Sequence, residues 1–268
     1  MAMLLKLTWL ELRKLLLFGR TYLVQYIADL LFFVVGFLVM AGLFNLATQG
    51  AYDGVAQLSS LIGYLVWRVA AGIMRDVVDS VSYDAQWGVL EQIWLSGFHP
   101  LSLLLARTAA LTLFLTVRAA VIAIFIVPIL QIPLDVPLQN LPGALLIYLL
   151  TLGGPFGVAL ILTGLQLVYK NIQALAFPLA TVLLFLTGAL SPLSGIPVLY
   201  EVSRFLPLAI GIDLLREGLV QGISFTSLLT QPSFLGLLLN TAVYLGIGCL
   251  VILWAKGKVL EQGSLAHY

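Results

Sequence analysis

The chain has 268 residues, of which 61% are hydrophobic and 9% charged, against roughly 25% charged in an ordinary soluble domain. That balance excludes a water-soluble enzyme or nucleic-acid binder, and apolar stretches recur so evenly that no soluble domain of about 100 residues can be cut out. The formal net charge of +1 carries little information, because in a membrane protein the placement of Lys and Arg matters more than their sum.

Residues 1–268 therefore read as one all-α, polytopic membrane domain. The first twenty, "MAMLLKLTWLELRKLLLFGR", scatter Lys6, Glu11, Arg13, Lys14 and Arg20 among leucines, which breaks the continuous apolar core of a signal peptide. At about 100° per residue, Lys6, Arg13, Lys14 and Arg20 fall on one side and Leu5, Trp9, Leu12 and Leu16 on the other. The pattern predicts an interfacial helix over residues 1–20, the alternative being the start of the first span.

Six spans are expected, at residues 22–46, 55–74, 103–129, 144–168, 172–190 and 234–255, each long enough to cross roughly 30 Å of hydrocarbon. Small residues Gly36, Ala41 and Gly42 make the first span a candidate side for a dimer contact. An even number of spans puts both termini on one side. With that side cytoplasmic it holds Lys6, Arg13, Lys14, Arg20, Arg75, Lys170, Lys256 and Lys258, while the other keeps only Arg204 and Arg216. The positive-inside rule thus places both termini in the cytoplasm of a cell inner (plasma) membrane.

Between the second and third spans, residues 84–96 predict a short cytoplasmic helix with Trp87, Leu90, Glu91 and Trp94 on one face and Gly88, Gln92 and Ser96 elsewhere. Gly97 and Pro100 end it. The tryptophans would anchor at headgroup level and Glu91 would accept from a partner docked from the cytosol; as a plain aromatic belt, the same residues would touch only lipid and water. After the third span, in residues 131–143, Pro133, Pro137 and Pro142 forbid regular helix and predict a stiff outer connection. Gly153, Gly154 and Pro155 predict a kink in the fourth span, either static or a hinge. Residues 191–233 are too apolar for a free loop and are broken by Pro192, Pro197 and Pro207, so two short helices dipping into the outer leaflet are expected. No internal repeat is visible, which weakens a secondary-transporter reading.

Ionisable residues within spans cost roughly 2.5 to 3.5 kcal/mol each on insertion scales and need partners. Asp29, Arg68, Arg107 and Arg118 are the four. Asp29 is expected to neutralise Arg68, Arg107 or both, and Arg118 to pair with Asp213, chosen from Glu201, Asp213 and Glu217. Arg118 either faces a transport path and meets an anionic group, or is a structural or snorkelling arginine. Cys249 stands alone and cannot form an intrachain disulfide.

No GxxxxGK[ST], HExxH or GxSxG occurs, and His99 and His267 fall in a loop and the C-terminal tail. Asp76, Asp79 and Asp84 tempt a metal site for an intramembrane enzyme. Their spacing lacks the glycine turn and further ligands of such a site, and Arg75 with Asp79 makes an ordinary i, i+4 pair, so no metal is expected.

"GVLEQIWLSGFHPLSLLLAR" between the second and third spans resembles the G-x-L-E signature of ABC-2 type permeases. "SPLSGIPVLYEVSRFLPLAIGIDLLREGLVQG" before the last span resembles that family's second signature. The resemblance covers essentially the whole chain. It implies that Gly88, Leu90 and Glu91 belong to a coupling helix meeting an ATP-binding subunit, and that Pro192, Pro197, Pro207, Asp213, Arg216 and Gly222 belong to an outer re-entrant hairpin. The chain departs in "LPLAIG", where many relatives carry Asn-Pro followed by Thr, and in "GFHP" after the coupling segment. The implied function is the permease subunit of an ATP-driven exporter of an amphipathic or hydrophobic substrate: a drug, lipid or lipid-linked saccharide. It would pair with a second copy or a homologous permease, with no cofactor of its own and with ATP and Mg on the partner subunit. The alternatives are an ion-coupled secondary transporter and an intramembrane enzyme built on Asp76, Asp79 and Asp84.

Overall fold

In lipid an apolar run can satisfy its backbone only within itself, so such runs become helices. A computed structural model describes residues 2–50, 52–89, 92, 100–133, 137–169 and 172–262, and every regular element among them is helical. The α-helices are α1 (Ala2–Thr21), α2 (Leu23–Ala47), α3 (Gly54–Gln86), α4 (Pro100–Leu130) and α5 (Leu141–Tyr169), then α6 (Ala176–Leu186), α7 (Pro197–Ser203), α8 (Ala209–Leu219), α9 (Phe225–Thr230) and α10 (Pro232–Gln262).

Four helical stretches are long and apolar enough to cross a membrane: Leu23–Ala47, Ser102–Leu130, Leu141–Tyr169 and Pro232–Val259. They coincide with four of the expected spans. The stretch expected at 55–74 lies inside α3, which is more polar than those four and is the most enclosed of the long helices. α4, α5, α6 and α8 all pack on it, and Ala70, Ile73, Met74, Val77 and Val78 have no exposure. Its enclosed faces carry Arg68 and several serines away from lipid, as the protein-facing sides of α2 and α4 carry Asp29, Arg107 and Arg118. The Asp53 side chain starts α3 by accepting from the Ala56 amide at 2.9 Å.

The stretch expected at 172–190 is not one span-length helix. A 3-10 turn over Ile172–Leu175 leads into the 11-residue α6, which stops at Leu186 before Gly188, whose φ is +68°. Eleven residues rise only about 16 Å. Residues 191–233 hold three short helices, α7, α8 and α9, rather than two. In the preceding loop, Pro142 sits in the first turn of α5, where a proline costs no hydrogen bond.

α5 and α10 make the most extensive contact of the fold. They run parallel: Gly153 lies against Thr241, Gly157 against Tyr244 and Gly164 against Val251. A β-carbon at Gly157 would overlap the Tyr244 carbonyl, so only glycine allows this approach. α5 continues through Pro155, and Thr241 of α10 donates to the Leu150 carbonyl at 2.9 Å just before it.

One end of the bundle, here the near end, gathers α1, the end of α3, the start of α4 and the ends of α5 and α10. The far end holds α7, α8, α9 and the start of α10. α1 leaves most of the predicted apolar side uncovered by the protein, as a side turned to lipid would be. It runs alongside α4 with Glu11 at Arg107 and Gly19 at Phe114, while Leu5, Trp9 and Leu16 stay exposed. The choice of face follows charge: Glu11 is the acid that Arg107 requires. In the first span, Ala41 is buried within the chain and Gly36 faces Tyr64, which leaves Gly42 open.

Candidate functional site

Three polar centres tie the bundle together, one at each level. At the near end, Arg107 of α4 is nearly buried. Its Nη1 meets Asp84 Oδ2 at 2.8 Å and donates to Ser80 Oγ at 3.1 Å, and its Nη2 donates to Glu11 Oε1 at 3.4 Å. One guanidinium thus joins α1, α3 and α4, using the planar fork that a lysine lacks. Asp29 is therefore not its partner, contrary to expectation. The reason is level: Arg107 stands beside α1, below the start of α2.

Asp84 also belongs to α3 and not to a separate helix beginning at residue 84. α3 runs to Gln86, Trp87 caps it, and Gly88 leaves it with φ of +67° and its amide donating to the Ala85 carbonyl at 3.2 Å. Glycine suits that left-handed exit. Trp87 is 79% exposed beside Tyr83. Leu90, Glu91 and Trp94 lie outside the described residues.

The middle centre is Asp29 of α2. Its Oδ2 accepts from Arg118 Nη2 of α4 at 2.8 Å and from Arg68 Nη2 of α3 at 3.3 Å. Arg68 lies 3.7 Å above the Phe33 ring centroid, and Arg118 lies 4.7 Å from that of Tyr26. The expected pairing of Arg118 with Asp213 does not form. α4 extends beyond α2 at the near end, so Arg118 comes level with Asp29, and Asp213 instead approaches Arg216 at 3.6 Å. Two arginines on one carboxylate leave the cluster one positive charge beyond its acid.

Arg75 bonds Asp76 at 3.1 Å rather than Asp79. Asp76 and Asp84 are thus held by different arginines, and among the described residues no group of three His, Cys, Asp or Glu could hold a metal.

The far-end centre is Arg216 of α8, 4% exposed. Its Nε donates to the Ser59 carbonyl of α3 and its Nη2 to the Ala189 carbonyl, each at 3.0 Å. The hairpin prolines punctuate: Pro192 precedes the 3-10 turn Leu193–Gly195, Pro197 opens α7 and Pro207 packs on Gly154. Gly222, φ +71°, turns the chain out of α8. Leu208 turns it in with φ of +92°, a backbone costing a non-glycine residue about 1–3 kcal/mol, and the burial of its side chain offsets this.

Sequence reasoning missed two members. Glu11 was legible only as the lone acid on a basic helix. Asn140 had no signal, yet its buried amide donates to the Gly218 and Ile223 carbonyls, both at 2.9 Å, and fixes the end of α8. The chain matches no family model and no curated protein.

Proposed function

We propose that the chain is the permease subunit of an ATP-driven exporter resembling ABC-2 type transporters, moving an amphipathic or hydrophobic substrate across the plasma membrane. In this reading the chain crosses six times. α2, α4, α5 and α10 face lipid, α3 crosses inside them, and α6 completes its crossing through the turn at Gly188. Both termini are cytoplasmic, as the basic residues of the near end favour. Two copies, or one copy and a homologous permease, form the pathway, and ATP with Mg resides on docked cytosolic subunits.

The observation that carries the reading is the Arg107 centre. It binds α1 to α3 and α4, the two helices that residues 88–99 connect, so a partner pushing on that segment would move three helices as one body. An ion-coupled carrier gains no support from Asp29, which two arginines engage.

The test is gentle purification of the C-terminally tagged chain from native membranes. A stoichiometric P-loop ATPase that falls away on Glu91→Arg is the expected result. A chain that purifies alone, even after crosslinking, overturns the reading.

A further inference from the structure

A cavity of about 530 Å³ lies at the far end between the α7–α8 turn and α10. Its size falls within the usual range for small-molecule sites, roughly 300–1,000 Å³. Its wall is held in place by polar bonds: Asn240 donates to the Phe205 carbonyl at 3.1 Å, and Tyr244 Oη donates to the same oxygen at 3.1 Å. Val243 and Ile247 give it an apolar floor along α10, and among the described residues the charged ones lining it are Glu201 and Arg204. These two sit three positions apart, on neighbouring faces of one turn, exposed and without an ion pair among the described residues.

The depth of the groove follows from α10. Trp254, Lys256 and Lys258 mark its near-end interface, with Lys258 Nζ 5.2 Å from the Trp254 ring centroid. Counting back about 20 residues from Lys256, roughly 30 Å of hydrocarbon, reaches Gly236. Asn240 and the 204–205 turn bonded to it lie just inside that boundary, whereas Val243 and Ile247 lie deeper. Charge sits at headgroup level and the apolar floor descends from it.

We propose that this groove seats one zwitterionic phospholipid of the surrounding bilayer, its phosphate toward Arg204, its cationic amine toward Glu201 and one acyl chain along α10 past Val243. Arg204 alone would select an anionic lipid. Glu201 beside it repels a head group of net negative charge and pairs with an amine, so a head group bearing both signs satisfies both residues. A second copy packing here would offer its own glutamate and arginine in exchange, an outcome that crosslinks joining α10 of two copies would report. The inference rests on the chain lying in a bilayer and not on an ATPase partner, so its failure is distinct from failure of the copurification.

The test uses the full chain in phosphatidylcholine vesicles containing a trace of phosphatidylcholine with a photoactivatable group near the end of one acyl chain. A matched phosphatidylglycerol probe serves as comparison. We expect labelling concentrated at residues 239–247, about fivefold or more stronger with the phosphatidylcholine probe. Val243→Trp should remove that label and leave labelling of α2 unchanged, which also reports that the variant is folded. Replacing Glu201 and Arg204 together by Gln should abolish the headgroup preference. Equal labelling by the two probes, or labelling of the exposed α2 face as strong as that of α10, overturns the proposal. So does absence of label at 239–247 with cysteine crosslinks joining α10 of two copies.

Discussion

Arg107 and Asp84 face each other at 2.8 Å, the first from the opening turns of α4 and the second from the last turn of α3. The helices before and after residues 88–99 in the chain are thereby fixed to each other. Glu11 completes the centre from α1.

Removing Arg107 strands two acids that are 14% and 15% exposed. Arg107→Met should therefore destabilise the chain by about 3–5 kcal/mol, the usual cost of breaking a buried ion pair. Thermal unfolding in a mild detergent measures it. Glu11→Gln leaves the Asp84 contact intact and should cost distinctly less. Equal losses would mean that the α1 contact dominates.

At the middle centre the order of effects is set by charge. Arg118→Met leaves Asp29 with Arg68, a neutral pair, while Asp29→Asn leaves two guanidiniums facing each other. Asp29→Asn should be the more damaging. A double-mutant cycle on Asp29 and Arg118 should give a coupling of about 0.5–3 kcal/mol, against none for Arg118 with Asp213. Coupling confined to the second pair would refute the observed geometry.

Gly157→Ala places a methyl group against the backbone of Tyr244. It should cost about 1–3 kcal/mol or more by overpacking. Gly246, on α10, has nothing within 4 Å of an added β-carbon, and Gly246→Ala should be nearly neutral. Paired melting curves decide this, and similar losses from both would count against the parallel α5–α10 contact.

Topology can be read chemically. Once Cys249, the chain's lone thiol, is changed to Ala, single cysteines can be placed by Lys6→Cys, Lys258→Cys and Arg204→Cys. A membrane-impermeant maleimide should reach the first two from one side of sealed vesicles and the third from the other. Lys6→Cys and Lys258→Cys reacting from opposite sides would exclude an even number of crossings.

The helices best anticipated from sequence were α2, α4, α5 and α10, because a long apolar run is a one-dimensional signal that needs no partner. α6 shows where that signal fails. Residues 172–190 contain no proline beyond Pro178 and no charge to announce an end at Leu186. The chain turns there with Arg216 of a distant helix holding the Ala189 carbonyl. Ion pairing was misjudged for a related reason. Asp29 and Arg118 meet only because α4 reaches further toward the near end than α2, and helix heights are set by packing. Asp29 and the arginines themselves were recognised, Glu11 as a partner was not, and the assignment of one to another required three dimensions.

The parallel course of α5 and α10 has an electrostatic consequence. Antiparallel neighbours cancel their macrodipoles, but two parallel helices add theirs, so about half a negative charge from each C-terminus accumulates at the near end. Lys258 lies there, 5.6 Å from the ring of Tyr169, the last residue of α5, with Lys256 one turn or less away. These lysines thus neutralise a field that the helix pair itself generates, and in doing so they give the near end the positive side chains by which a membrane orients the chain.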